Sequence, residues 1–451
     1  MKIHFIAMGG SAMHNLAIAL HKKGFTVSGS DDVFTEPSKS RLEKFGLLPA
    51  NEGWDAQRIT ADLDAIILGM HARADNPELL KAQEIGLKVY SYPEYVYGQS
   101  RDKIRVVIGG SHGKTTITSM ILHVLKEASL EFDYLVGAQL EGFDTMVKIT
   151  DDAPLMIIEG DEYLSSAIDR RPKFHLYKAN IAVISGIAWD HINVFPTFDN
   201  YAEQFSLFVD TIQPGGKLIY CEEDKALKEM VEKHPAAVEK IAYALPGYKI
   251  NNGVTSLMYG SREYPLQVFG DHNLLNIEAA KAVCVALKIA EETFYKAICS
   301  FKGAAKRLEL IGINPQTNVY KDFAHSPSKL SATIKAVKKQ FPQRKLIACI
   351  ELHTFSSLNK TFLQEYAGTM DDATEAIVFI DKHVFSQKNM EPYTAAVVKE
   401  AFKKEDLLFF DDSKLFFSYL KQLNFRDTNL LLMSSGTFSG SDLALFIEKI
   451  L

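Results

Sequence analysis

The chain has 451 residues, 47% of them hydrophobic and 24% charged, with a formal net charge of -6, which is enough chain for about three domains. No apolar run approaches the roughly 18 residues of a membrane-spanning helix, and no basic run offers the cationic face that a phosphate backbone needs. Membrane and nucleic acid are therefore excluded as main partners, and a cytoplasmic protein acting on small molecules is expected.

The opening "MKIHFIAMGG" runs into strand-like sequence without a cleavable signal pattern. Over the first hundred residues short apolar runs ("KIHFIAM", "TVSGSD", "DAIILGM", "KVYSYP") alternate with amphipathic ones ("MHNLAIALHKKG", "SRLEKFG", "PELLKAQEIG"). That rhythm predicts strands alternating with helices around a parallel sheet. Glycines follow the first strand and Asp31 follows the second, but G-x-G-x-x-G is not satisfied, so a dinucleotide-type turn and a tight turn without a ligand both stay open.

After the polar joint "GQSRDK" a second sheet is predicted from "KIRVVIGG", "PLMIIEGD", "ANIAVISGI" and "GKLIYCEED", with a long helix in "NLLNIEAAKAVCVALKIA". "RVVIGGSHGKTTITSM" carries Gly-Lys-Thr, yet Ile108 stands where G-x-x-x-x-G-K-[ST] requires its first glycine. Strand, glycine turn and helix still occur in the right order, since Ile117, Met120, Ile121, Val124 and Leu125 fall at helical spacing. Such a loop aims backbone N–H groups at an anion, with Lys114 to neutralise outer phosphates and Thr115 to ligate Mg²⁺. Glu159, Asp161 and Glu162 crowd the end of "PLMIIEGDEY", which is costly unless a cation or hydrogen-bond donors compensate. Asp190 and His191 end the next strand. Lysine and threonine, glutamate, and histidine at three strand ends suit a magnesium–nucleotide site.

A third alternation follows the hinge-like "FKGAAKRLE", through "NVYKDFAHSP", "KLIACIE", "EAIVFID" and "NLLLMSSG". The four cysteines, Cys221, Cys284, Cys299 and Cys349, have no C-x-x-C or Cys/His spacing, so neither a disulfide framework nor a zinc site is indicated. The boundaries drawn are 1–102, 103–302 and 303–451.

In order, "GGSHGKTT", "EGDEY", "WDH", "GDHNLLN", "KRLE" and "DFAHSP" resemble the Mur ligases, ATP-dependent enzymes that build the peptidoglycan precursor. The resemblance spans nearly the whole chain. It implies an α/β protein of three domains: a Rossmann-like N-terminal domain for the UDP substrate, a central P-loop ATPase-type domain with a mostly parallel sheet, and a Rossmann-like C-terminal domain for the amine. ATP and Mg²⁺ are the implied cofactors, and the short loop becomes the family's G-x-x-G-K-T-T version.

Carried over by position, the resemblance gives ATP to Gly110, Ser111, His112, Gly113, Lys114, Thr115 and Thr116, with Asn273, Asn276, Arg307 and Asp322. It gives the metal to Thr115, Glu159 and His191, and the catalytic roles to Lys114, Glu159, His191 and His325. The UDP of the muramoyl substrate falls to Gly9, Gly10, Ser11, Ser30, Asp31 and Asn76, although Ala7 and Ala12 occupy glycine positions. The amine falls to His325, Ser326, His353 and Thr354. "YAEQFSLF" lacks the lysine that some branches carbamylate, so no carbamate is expected. The implied chemistry runs through an acyl phosphate, with domain closure excluding water.

Two branches are closest. One attaches L-alanyl-γ-D-glutamyl-meso-diaminopimelate to UDP-N-acetylmuramate, and "EGDEYLSSAIDRRPKFHLYKANIAVI" and "MSSGTFSG" resemble it. The other adds free L-alanine; "ELHTFSSLNKTFLQEYA" resembles that branch, except that Ser357 replaces an arginine. Tripeptide attachment is the expected activity, with L-alanine addition as the alternative. A nicotinamide oxidoreductase leaves the phosphate loop unexplained, and a silent nucleotide sensor leaves Lys114, Glu159 and His191 without a use.

Overall fold

The computed structural model describes residues 1–189, 194–304, 307–388 and 390–451. By compactness these fall into two units, one of residues 1–189, 194–244 and 277–297 and one of residues 245–276 and 298–451.

The first unit holds two sheets. The N-terminal sheet has four parallel strands in the order Thr26–Ser30, Lys2–Ile6, Ala65–Leu68, Val89–Ser91. The second has seven, in the order Glu239–Tyr243, Lys217–Cys221, Ile181–Ile184, Ile104–Gly109, Leu155–Glu159, Phe132–Leu135, Val147–Lys148. Only the last pairing is antiparallel. Val106, Val107 and Ile108 have no exposed surface, because helices cover both faces of this strand and the run reads as continuously apolar. Helix Lys114–Glu127 follows it and buries Ile117, Met120, Ile121, Val124 and Leu125, the positions read from spacing.

One helix was not foreseen. Tyr92–Ser100 starts at a capping box in which Ser91 accepts from the Glu94 amide and Glu94 reaches back to the Ser91 amide. It takes in part of the supposed polar joint, because the cap satisfies backbone donors that an apolar pattern does not report.

The second unit is built on six strands in the order Glu309–Asn314, Thr317–Asp322, Thr428–Met433, Lys345–Glu351, Glu375–Phe379, Leu408–Phe410, all parallel except the first. Alternate residues of one strand face separate cores: Leu346, Ala348 and Ile350 pack with Tyr320 and Leu431, whereas Ile347 and Cys349 pack with Val319 and Phe416. Fully burying one such aliphatic side chain stabilises by roughly 1.5–3 kcal/mol. Three antiparallel strands, Tyr248–Asn251, Val254–Tyr259 and Arg262–Pro265, form a small separate sheet. Gln340 ties it to helix Pro327–Gln340, accepting from Thr255 Oγ1 at 2.8 Å and donating to Gly253 O at 2.7 Å.

Candidate active site

Gly110 follows the central strand with φ of +127°, and a Cβ there would come within 2.8 Å of Ser185 N. Gly113 caps the next helix at φ 75°. Both turns need glycine, which explains a glycine-bounded loop shorter than the common signature. Ser111 N donates to Gly186 O at 2.9 Å, and Ser185 Oγ donates to His112 O. The buried Ser111 Oγ has no hydrogen-bond partner among the described residues.

Lys114 Nζ donates to Gly110 O at 2.6 Å and to Glu162 Oε2 at 2.7 Å. Burial opposes the lysine charge, but Glu162 and Asp161 override it and lift the pKa. Thr115 Oγ1 donates to Glu159 Oε1 at 2.8 Å, and the Gly137 amide donates to Glu159 Oε2 at 2.6 Å. The strand register sets Ile108 beside Glu159, so the glycine loop and this carboxylate share one sheet edge. Burial pushes the Glu159 carboxyl above its ordinary value, against the two hydrogen bonds and Lys114. A bound cation would remove that penalty, and a hydroxyl with a carboxylate is a donor set that fits magnesium. No cluster of three or more His, Cys, Asp or Glu able to hold a metal occurs among the described residues. His191, expected as a ligand, lies outside the described residues.

Sequence reasoning missed several members of this site. Tyr201 donates to Glu162 Oε1 at 3.2 Å, although its segment had been read only for the absence of a lysine. Gly137 follows a strand end, which was the available signal. Lys173 pairs with Asp161 at 2.6 Å, so two of the three crowded carboxylates are compensated by lysines.

In the N-terminal sheet Gly9 N donates to Asp31 Oδ2 at 2.6 Å, joining the two strand ends where the UDP residues were expected. Burial raises the Asp31 pKa against the amides of Gly9 and Asp32. Gly10 precedes the helix containing Ser11, whose Oγ is 3.7 Å from Met146 Sδ. Ser30 Oγ donates to the buried Glu78, and Asn76 caps helix Pro77–Glu84 by accepting from the Glu78 and Leu79 amides. Ser30 and Asn76 thus have local structural bonds.

In the second unit Asp322 Oδ1 accepts from Ala324 N at 2.7 Å and Oδ2 from Leu308 N at 2.8 Å. Burial pushes its carboxyl up to about 6, opposed by the Ala324 amide and Arg307. The Arg307 guanidinium lies over the Phe323 ring, 4.5 Å from its centroid. Asn273 Nδ2 donates to Phe269 O at 2.9 Å, and Asn273 and Asn276 are both buried. His325 Nδ1 contacts Phe323 O at 2.8 Å. Thr354 Oγ1 meets Ser357 Oγ at 2.9 Å and accepts from Ser357 N at 3.2 Å. His353 follows the strand ending at Glu351, a buried carboxylate bonded to Ser434 Oγ, Phe438 N and Ser439 N that sequence reasoning missed.

Family models described as Mur ligase family, catalytic domain; Mur ligase middle domain; and Mur ligase, glutamate ligase domain match residues 2–103, 108–284 and 306–436 in turn. The chain belongs to the Mur ligase family. It is therefore an ATP-dependent ligase of peptidoglycan synthesis whose substrates are small molecules. The UDP-N-acetylmuramate–L-alanine ligase of Caldicellulosiruptor bescii is 31% identical over 406 residues, covering 86% of this chain and 85% of its own. Among solved structures, the UDP-N-acetylmuramate-alanine ligase of Thermotoga maritima matches at a TM-score of 0.71 and 20% identity, over 100% of this chain and 99% of its own. A murein peptide ligase from Psychrobacter arcticus matches at 0.65 and 21%, over the same shares. These likenesses show the three-domain Mur ligase fold.

Proposed function

We propose that this enzyme joins L-alanine to the carboxyl of UDP-N-acetylmuramate with consumption of ATP. The observation that carries the ATP half is the convergence of Lys114, Thr115 and Glu159 on one sheet edge. The acceptor half rests on the L-alanine ligase at 31% identity. This choice takes the alternative of the two expected acceptors; the tripeptide expectation rests on two motif stretches and on Ser357 in place of an arginine. Ser357 is 1% exposed and bonded to Thr354, so its identity reports how a turn packs and says little about charge in an acceptor site. The tripeptide stays as the second reading, favoured by "DEYLSSAIDRRPKF" and "MSSGTFSG" and by the fold likeness to a murein peptide ligase.

Residues 1–102 would take the UDP through Gly9, Gly10, Ser11, Ser30, Asp31 and Asn76. Residues 103–302 would take ATP through Gly110 to Thr116, Asn273 and Asn276. Residues 303–451 would supply Arg307 and Asp322 to ATP, and His325, Ser326, His353 and Thr354 to the amine. Magnesium would be held by Thr115 and Glu159, with His191 at a second ion, and when bound it supplies neutralisation of phosphate charge. The muramoyl carboxylate attacks the γ-phosphorus, the bond to ADP breaks, and an acyl phosphate forms. The acceptor amine then attacks the acyl carbon, loses a proton and expels phosphate. Lys114 and the loop amides stabilise the transferred charge. No described helix is long and apolar enough to cross a membrane, and charged nucleotide substrates accord with a cytoplasmic enzyme.

Purified protein given ATP and magnesium should release phosphate only when UDP-N-acetylmuramate and L-alanine are both present, with the alanyl product seen by mass. Phosphate release without the UDP substrate would refute the ligase reading.

A further inference from the structure

Beyond the six-stranded sheet's carboxyl end, the crevice where α/β sheets bind ligands, three buried polar atoms lack a hydrogen-bond partner among the described residues: Ser326 Oγ, His353 Nδ1 and Ser435 Oγ. They follow three adjacent strands, Thr317–Asp322, Lys345–Glu351 and Thr428–Met433, whose register sets Asp322 and Ile350 against Met433. A buried hydroxyl or imidazole nitrogen without a partner is destabilising, so three at neighbouring strand ends point to a polar ligand.

Lys388 adds the charge. Its Nζ donates to His353 O at 2.7 Å, which uses one of an ammonium's three donors, and it pairs with no carboxylate among the described residues. Glu351, the nearest carboxylate along that strand, is spent on Ser434 Oγ and the amides of Phe438 and Ser439. Lys388 is exposed, and partial desolvation alone lowers its ammonium pKa, with no acidic neighbour to offset it. An anion placed beside His353 would offset it.

We propose that Lys388 is a specificity-determining residue whose ammonium binds the α-carboxylate of the amino-acid acceptor, with Ser435 Oγ as a second donor. This rests on the L-alanine reading and extends it. In a free amino acid the attacking amine and a carboxylate share one carbon, whereas in a peptide acceptor that carboxyl is an amide and carries no charge. A cation at this place therefore separates a single residue from a peptide.

The test uses full-length enzyme with ATP, magnesium and UDP-N-acetylmuramate, comparing L-alanine with L-alaninamide, which keeps the amine and lacks the carboxylate. Lys388→Gln should raise the KM for L-alanine at least about tenfold while kcat/KM for L-alaninamide changes less than about twofold. Lys388→Arg should keep most of the wild-type preference for L-alanine. Equal losses on both acceptors would mean that Lys388 only supports the His353 turn, and no change would mean that it is idle; either overturns the inference and leaves the ligase reading standing. Wild-type enzyme that releases no phosphate with L-alanine overturns the acceptor reading and this inference with it.

Discussion

Lys114 and Glu162 hold opposite charges 2.7 Å apart, with Glu162 wholly buried, so removing the lysine changes more than catalysis. If Lys114 faces the transferred phosphoryl group as proposed, Lys114→Ala should lose several kcal/mol of transition-state stabilisation. It should also lower folding stability by about 3 kcal/mol, since the Glu162 carboxylate stays buried without its cation. The double variant Lys114→Ala with Glu162→Gln should regain stability and stay inactive, which denaturant midpoints and phosphate release read separately. Recovery of activity would remove Lys114 from the ATP site. Glu159→Gln keeps shape and loses charge, so its magnesium requirement should rise; superimposable Mg²⁺ titrations would show that Glu159 holds no metal. The order of strand, glycine turn and helix was readable in the sequence, and the strand register brings Lys114 and Thr115 to the same sheet edge as Glu159. The sequence was less readable at Ala7, which takes φ 67° without being glycine. A non-glycine residue there costs about 1–2 kcal/mol, and the turn so made hides behind an incomplete fingerprint.

Buried parallel strands read clearly because both faces meet a core, as at Val106–Ile108 in "IRVVIG" and Leu346–Ile350 in "KLIACIE", where the apolar residues run without a break. The small antiparallel sheet did not. Tyr248–Asn251 is half-buried and polar on alternate positions, so it reads as loop, although Asn252 and Gly253, at φ 50° and 76°, give the Asn-Gly signal of a tight hairpin. The carboxylate that ends strand Thr317–Asp322 couples folding to pH. Asp322 has a folded pKa of about 6 against an ordinary 3.8, so between those values the folded state binds more protons than the unfolded one. Stability should therefore fall as pH rises from about 4 to 6 and level off above, since the ionised form is the one that burial penalises. Asp322→Asn should flatten this part of the profile relative to wild type, whatever its effect on absolute stability. Denaturation midpoints measured across that range check it, and parallel profiles would show that Asp322 does not carry the dependence.

For the whole molecule, order of motifs was the strong signal: each is short, yet six in sequence identify a family whose three models match residues 2–103, 108–284 and 306–436. What order cannot give is the acceptor, because that depends on where a few side chains of one crevice point. Ser357 illustrates the difficulty. Read by type it was an absent cation, but it is folded into its own turn, while a cation stands on Lys388, far along the chain and outside any motif. If Lys388 answers a free α-carboxylate, a mixture of L-alanine and L-alanyl-γ-D-glutamyl-meso-diaminopimelate should partition toward L-alanine by at least about tenfold in kcat/KM, equivalent to roughly 1.4 kcal/mol of transition-state discrimination. The two acceptors present the same amine on the same alanyl carbon and differ first at the carboxyl, so the partition isolates recognition of that group and of what lies beyond it. Competition at equal concentrations, with products separated by mass, measures it directly. Preferential incorporation of the tripeptide would mean that remote peptide groups supply more binding energy than one carboxylate does, and would return the assignment to tripeptide attachment on the same ATP site.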